Sequence, residues 1–456
     1  MFRRFVRSKH MKPVFKRLVL VALLILTPSA SLGADLTNTS DPSADLTGSL
    51  TLQEVIVRVL LHNPELEAYS LEVRAREARA VQAGLYKNPN ILLDVEDVFG
   101  SGGFKDVRRS QSTLLLSQVI ELGGKRAKRE RAALSHKDLA YWDYETARMN
   151  ILTRVTQTYT GALTAQEKLK LARQLVTLSQ NSYNAVKARV DAGKVSPIHE
   201  VKAQVALSTT QIEWQQAKNN LKAAYRRLTT FWGSLTPRFQ QLAGNLYLIA
   251  PVPVYDTLTA QIQNNPDLAR WAAEMMQREA AVDLEEANAV PNLKVGAGGR
   301  WREETHDNTF VLEFSLPLQL FDRNQGAIAE ARHRLAQAEA QRRAAGLKLN
   351  AALAESYTRL ANAHSWVIAL KTQILPGART AFQAVMEGYR FGKFGYLEVL
   401  DSQRTWFNAR AQFLDALREY HKAVADVERL TGQAVAPPRT ATPQSPPRPT
   451  KKETQR

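Results

Sequence analysis

The residues best placed to do chemistry stand in one stretch, "FGKFGYLEVLDSQRTWFNARAQFLDA" at 391–416, where Glu398 and Asp401 follow a glycine-rich turn three positions apart. On a helix that spacing puts both carboxylates on one face. There they attract cations, and in a first helical turn they also offset the helix dipole, so ion attraction and capping are both open. A related stretch, "AGKVSPIHEVKAQ" at 192–204, carries His199 and Glu200 behind its own glycine.

Little else reads as reactive. The histidines at 10, 62, 136, 199, 306, 333, 364 and 421 never fall three or four apart, and the six methionines form no cluster, so no helix carries a metal-ligand pair. "GSGGF" at 100 precedes a strand pattern rather than a helix, which makes it a loop and not a phosphate cradle. Glu285 and Glu286 read as a solvated helix face, and His306 with Asp307 as a loop between strands. The expectation is no catalytic, cofactor-binding or metal site, and no enzyme. The absence of cysteine excludes disulfides, thiolate sites and a lipid-modified N-terminal cysteine.

The net charge of +17 points to nucleic acid until it is divided along the chain. Seven basic residues and no acid lie in 1–34, and five basic residues and one acid in 434–456, which leaves only +6 between them. Nucleic acid is therefore not the expected partner. "VFKRLVLVALLILTPSASLGA" has basic residues, an apolar core from Leu18 to Leu26 and then small residues, the pattern of an export signal over 1–34 cleaved near Gly33 or Ala34. Its start is Met1 or Met11. The core is too short to span a bilayer.

The acids must be positioned by long elements, and the chain writes those elements twice. "NPEL" at 63 recurs as "NPDL" at 265, "PNI" at 89 as "PNL" at 291, and "SQVIEL" at 117 as "SLPLQL" at 315. A linker (35–49) leads to a first repeat (50–233), a connector (234–254), a second repeat (255–432) and a Pro-rich basic tail (433–456) that reads as disordered. Each repeat runs helix, β-hairpin, very long helix, tip turn, helix. The hairpins are expected at 90–122 and 291–321, the tip turns at 191–197 and 391–396, and single helices over 50–88 and 255–290. Between Lys125 and Ala192 there is no Pro, and Leu171, Leu175, Leu178, Ser182 and Ala185 mark a coiled-coil seam. The second rod, 324–390, meets "PG" at 376, where a kink or break is expected.

The strand pairs alternate. Leu293, Val295, Ala297, Gly299 and Trp301 share one face, and Phe310, Leu312, Phe314 and Leu316 share a face on the partner strand. In the first hairpin Ile91, Leu93, Val95 and Phe99 alternate with Asp94 and Glu96, but the partner strand contains an unbroken "LLL" at 114. Ten alternating residues suit a tilted transmembrane strand. Four strands cannot close a barrel and an open edge is not tolerated in lipid, so insertion requires several chains, three of which supply twelve strands.

"QAGLYKNPNILLDVED", "IELGGKRAKR" and "PLQLFDRNQGAIAEAR", with the duplicated plan and the two glycine turns, resemble the TolC-type family of outer-membrane efflux proteins, more narrowly its CzcC-like heavy-metal branch. The resemblance covers nearly all of 50–432. It implies a mostly α chain with transmembrane β: a homotrimer with a twelve-stranded barrel in outer-membrane lipid and a coiled helical tunnel across the periplasm. It also implies a periplasmic adaptor (membrane fusion protein) and an inner-membrane, proton-driven RND-type pump, with no cofactor.

Under the resemblance Gly193, Lys194, Gly392, Lys393 and Gly395 form the tip turns that meet the adaptor, the glycines taking unusual backbone angles. Glu398 and Asp401 become a ring of acids at the periplasmic entrance. Phe394 stands where the family's latch has a basic residue and His199, next to Glu200, where it has an acid. Closure through aromatic or hydrogen-bonded contacts, with Tyr389 taking part, is expected instead of a salt bridge. Two other readings remain: a channel for organic compounds or secreted polypeptides, and a secreted coiled-coil scaffold without a barrel.

Overall fold

The computed structural model describes residues 48–434; the export signal, most of the 35–49 linker and nearly all of the tail lie outside the described residues. Two Asn-Pro dipeptides decide where the helices begin. β1 (Ser49–Thr51) leads into α1 (Leu52–His62), and α2 (Pro64–Ala83) starts at once behind Asn63. In the second repeat α5 (Tyr255–Gln261) and a 3-10 turn precede Asn265, which starts α6 (Pro266–Asn288). The single helices expected over 50–88 and 255–290 are thus each broken at the dipeptide. Proline lacks an N–H and pushes the residue before it out of the helical region.

The same asparagines act as staples. Asn63 Oδ1 accepts from the Leu66 N–H at 2.9 Å while its Nδ2 donates to the Phe231 carbonyl at 2.7 Å. Asn265 Oδ1 accepts from the Asp267 N–H at 2.7 Å while its Nδ2 donates to the Leu430 carbonyl at 2.8 Å. Each repeat is therefore closed, start to finish, by one buried side chain. Asn265→Ala is expected to destabilise the fold by about 2–4 kcal/mol, from the lost cap and the buried carbonyl left unpaired. Asn288→Ala, whose side chain among the described residues hydrogen-bonds to Glu285 alone, should stay within about 0.5 kcal/mol. Thermal melting of both variants in one detergent checks the difference.

β2 (Asn90–Glu96) and β3 (Gln111–Ile120) form the first hairpin, followed by α3 (Lys125–Asp191), whose 67 residues run about 100 Å at 1.5 Å each. It reverses into α4 (Ile198–Thr229). Beyond Leu178 the buried seam of α3 passes through Ser179 and Val186, not Ser182 and Ala185, because the larger Tyr183 and Val186 side chains turn toward the neighbouring helices. The connector is not featureless: β4 (Gln241–Ala243) pairs in parallel with β1. The Tyr159 hydroxyl donates to the Leu50 and Ala243 carbonyls, and Gln166 Oε1 accepts from the Leu242 N–H at 2.9 Å, pinning this small sheet to α3. Strands of three residues are too short to show a period.

The second hairpin is β5 (Leu293–Arg302) and β6 (Asp307–Ser315), followed by α7 (Gln325–Ala369), a π turn (Leu370–Ile374), α8 (Leu375–Arg390) and α9 (Tyr396–Thr431). At "PG" the rod continues without a break. The carbonyl that Pro376 would strike, on Thr372, lies inside the π turn, where the widened spacing makes room for the ring.

All four long strands form one antiparallel sheet in the order β2-β3-β5-β6. The register aligns Leu93, Leu114, Gly299 and Phe310 in one row, and Ile91, Leu116, Ala297 and Leu312 in the next. One face is therefore apolar across all four strands and open, with Ile91, Phe310 and Phe314 at 70–73% exposure. Leu115, the middle of "LLL", lies buried on the opposite face, which also carries Asp94, Thr113, Arg300 and Glu313. No described helix is long and apolar enough to cross a membrane.

Candidate functional site at the helical tips

Both reversals are built alike. Gly193 has φ +68° and Gly392 φ +75°, the left-handed region in which a Cβ is strained. The Lys194 N–H returns to the Arg189 carbonyl and the Lys393 N–H to the Gly388 carbonyl, each at 2.8 Å, closing the last helical turn. Both lysines point into solvent. Gly395 departs from expectation: at φ −80°, ψ 171° it is ordinary extended backbone in front of α9, and its bare Cα instead leaves room for the Glu398 carboxylate.

The two hairpins share a small core of their own, separate from the main core of the molecule: Val186, Ala203 and Tyr396 are buried, with Tyr183, Val190, Tyr389 and Leu400 around them. Burial, then the neighbouring Tyr389, pushes the Tyr396 phenol up to about 12. Within the first hairpin Glu200 accepts from the Tyr183 hydroxyl and from Lys187 Nζ, both at 3.2 Å. The Lys187 ammonium is held above its usual range by that hydrogen bond first and by the Asp191 charge second. Between the hairpins, the Arg189 guanidinium lies 4.6 Å from the Tyr389 ring centre, and Tyr389 sits 6.3 Å from Tyr396.

The expected tip residues are therefore only partly brought together. Tyr389 and Glu200 join the contacts that hold the tip, and His199 meets Tyr396 edge-on at 6.5 Å with Nδ1 buried and unpartnered. The Phe394 ring instead covers Gly388 in its own hairpin, where an added Cβ would collide with it. Tyr183, Lys187, Arg189 and Tyr396 escaped sequence reading. The one available signal was the spacing of Tyr183 and Lys187, one turn apart on α3 across the reversal from Glu200.

Glu398 and Asp401 are exposed, and neither makes a hydrogen bond or ion pair among the described residues. They line a groove of about 570 Å³ between α8 and α9 with Ala381, Val385, Phe394 and Leu397. No cation side chain lines it. No group of three or more metal-ligating side chains exists among the described residues. The arrangement can attract mobile cations electrostatically but has no cage to retain one.

Comparison with known proteins agrees with this architecture. Residues 55–234 and 258–433 match the family model for outer membrane efflux proteins. The chain is 32% identical over 416 residues to the cobalt-zinc-cadmium resistance protein CzcC of Cupriavidus metallidurans, covering 91% of this chain and 98% of that one. It is 24% identical over 298 residues to the nickel-cobalt-cadmium resistance protein NccC of Alcaligenes xylosoxydans xylosoxydans, covering 65% of this chain and 67% of that one. A solved structure of CusC is similar in fold, with a TM-score of 0.71 at 17% identity over 83% of this chain and 91% of that chain. The matched ranges cover nearly all of both repeats, so the chain belongs to the outer membrane efflux protein family and is a channel, not an enzyme.

Proposed function

We propose that three copies of the chain close their sheets into a twelve-stranded barrel in the outer membrane. The helices then form a periplasmic duct through which heavy-metal cations, delivered by a periplasmic adaptor and a proton-driven RND-type pump, leave the cell. The observation that carries this reading is the sheet: its apolar face is open across four strands, and among the described residues β2 and β6 have no partner on their outer edges. In lipid such edges must be paired, and copies of the same chain pair them without leaving one open. The cargo reading is supported by the likeness to metal-resistance proteins and by the unpaired acids.

The tips, with Gly193, Lys194, Gly392 and Lys393 at the ends of rigid rods, are the docking surface for the adaptor. Glu398 and Asp401 line the entrance, where symmetry copies would repel one another and concentrate cations. Arg189 on Tyr389 holds the two hairpins together in the narrow state, and Glu200 on Lys187 braces the first of them. The test is single-channel recording of Glu398→Gln with Asp401→Asn. Cation preference should fall several-fold in dilute salt and change little near physiological strength, where screening acts over about 8 Å. An unchanged reversal potential in dilute salt would leave the two acids as helix-dipole partners only.

A further inference from the structure

The groove holding Glu398 and Asp401 has a counterpart of opposite sign on the other flank of the same helix pair. It is about 680 Å³ in volume and is lined by Lys371, Arg379 and Arg410 over Phe382 and Trp406, with no carboxylate among its lining residues. On α8, Pro376, Arg379 and Gln383 face this groove and Ala378, Ala381 and Val385 the acidic one; the two sets lie about 160° apart at 100° per residue. A third groove higher on α7 and α9 is balanced, pairing Arg359 and Lys422 with Glu419 and Asp426. Charge is thus sorted by flank near the tips.

Arg410 is the informative member. Several half-buried arginines meet acids, among them Arg129 with Glu121 at 2.7 Å, Arg278 with Glu274 at 2.6 Å and Arg429 with Asp267 at 2.9 Å, while Arg300 is satisfied by the Thr113 hydroxyl at 2.9 Å. Among the described residues Arg410 has no hydrogen bond or ion pair and lies on the rings of Trp406 and Phe407, at 5.4 and 5.5 Å. Burial pulls its guanidinium below the usual range, and the Tyr247 phenol is the one group that acts the other way. Lys371 and Arg379 are likewise without a hydrogen-bond or ion-pair partner among the described residues. Phe382 stacks on Trp406 at 5.1 Å and fixes the floor on which Arg410 rests. A half-buried guanidinium with flat aromatic backing and two flexible cations at its rim, all unneutralised, is a receptor for a ligand that brings negative charge.

We propose that this groove binds a multivalent oxyanion, a group carrying two or more carboxylates or phosphates, with Arg410 as the planar anchor and Lys371 and Arg379 as rim contacts. Its direction rests on the channel reading: Tyr247 of the connector packs on Phe413 at 6.0 Å on the Arg410 side of α9. With the acids facing the duct, the basic flank faces the periplasm. The ligand is then outside the cation path and neutralises a belt of positive charge that would otherwise surround the wall.

The test uses the full-length protein in detergent, titrated calorimetrically with citrate, with tripolyphosphate and with acetate. Binding of either multivalent anion, at least tenfold tighter than acetate, is expected; Lys371→Gln with Arg379→Gln should weaken it at least fivefold, and Arg410→Gln more. Both rim residues are exposed, so the double variant keeps its fold. Co-sedimentation with purified cell-wall sacculi, lost in the double variant, would assign the oxyanions to polymer carboxylates; binding of the soluble anions without co-sedimentation would assign a small-molecule source. Equal binding by the wild type and the double variant, or none, overturns the site. Light scattering and conductance score the channel reading separately: a conducting trimer that ignores citrate refutes only this proposal, and a non-conducting monomer that binds it refutes the channel and the direction assigned to the groove but not the oxyanion site.

Discussion

In the proposed barrel Leu312→Arg is expected to destabilise the protein by about 2–4 kcal/mol, the cost of placing a cation on a strand face that meets lipid near mid-bilayer. Leu312 stands opposite Ala297 in the ladder and shares the open apolar face with Phe310 and Phe314; it is itself 60% exposed. No described part of the chain covers that face. The control is Val311→Arg, one residue earlier on the same strand. Its side chain points to the face of Glu313, which already carries the Lys294–Glu313 ion pair at 2.9 Å. A charge there has polar neighbours and should be tolerated. The yield of heat-resistant trimer in outer-membrane fractions reads both variants, and equal yields would mean that the apolar face does not meet lipid.

A larger effect is expected at Gly298. This residue pairs with Leu115 in the β3–β5 ladder, the one place where the sheet joins the first repeat's hairpin to the second's. An added Cβ would overlap the Leu114 carbonyl oxygen and come within 2.8 Å of the Leu115 Cα. Both obstacles are backbone, so the ladder must open to admit the methyl group, and Gly298→Ala is expected to cost at least about 4 kcal/mol, in the range reserved for severe steric lesions. Gly299→Ala is the comparison: its added Cβ meets nothing nearer than the Thr309 carbonyl oxygen at 3.9 Å. Hydrogen exchange at β3 and β5, with outer-membrane yield, separates the two. Loss of protection at Gly298→Ala and full protection at Gly299→Ala is the expected result, and matched protection would mean that the two hairpins do not depend on this seam.

Much of this was legible in the residues. The duplicated Asn-Pro starts, the Pro-free run from 125 to 191 and the period-two strands are local signals, because helix continuity and strand alternation depend on neighbours within a few positions. Glycines at 193 and 392 were legible for the same reason, since a reversal needs a left-handed residue wherever the rest of the chain lies. Gly395 was misread by that logic, its backbone being ordinary and its glycine answering to a side chain three residues on.

The long helices, the two β-hairpins, the repeat and the two acids behind the second turn could be read from the residues alone, whereas the small β1–β4 sheet, the helix breaks at the Asn-Pro dipeptides and the π turn could not. Which segments meet across long distances in the chain became visible only in the folded molecule. The fold put Leu114 and Leu116 on one side of the sheet and Leu115 on the other, laid Arg189 on Tyr389 across residues 200 apart in the chain, and left Arg410 half-buried without an acid. The physical reason is range: backbone geometry repeats over a few residues and can be read locally, whereas burial and ion pairing are set by whichever distant segment folds against a side chain.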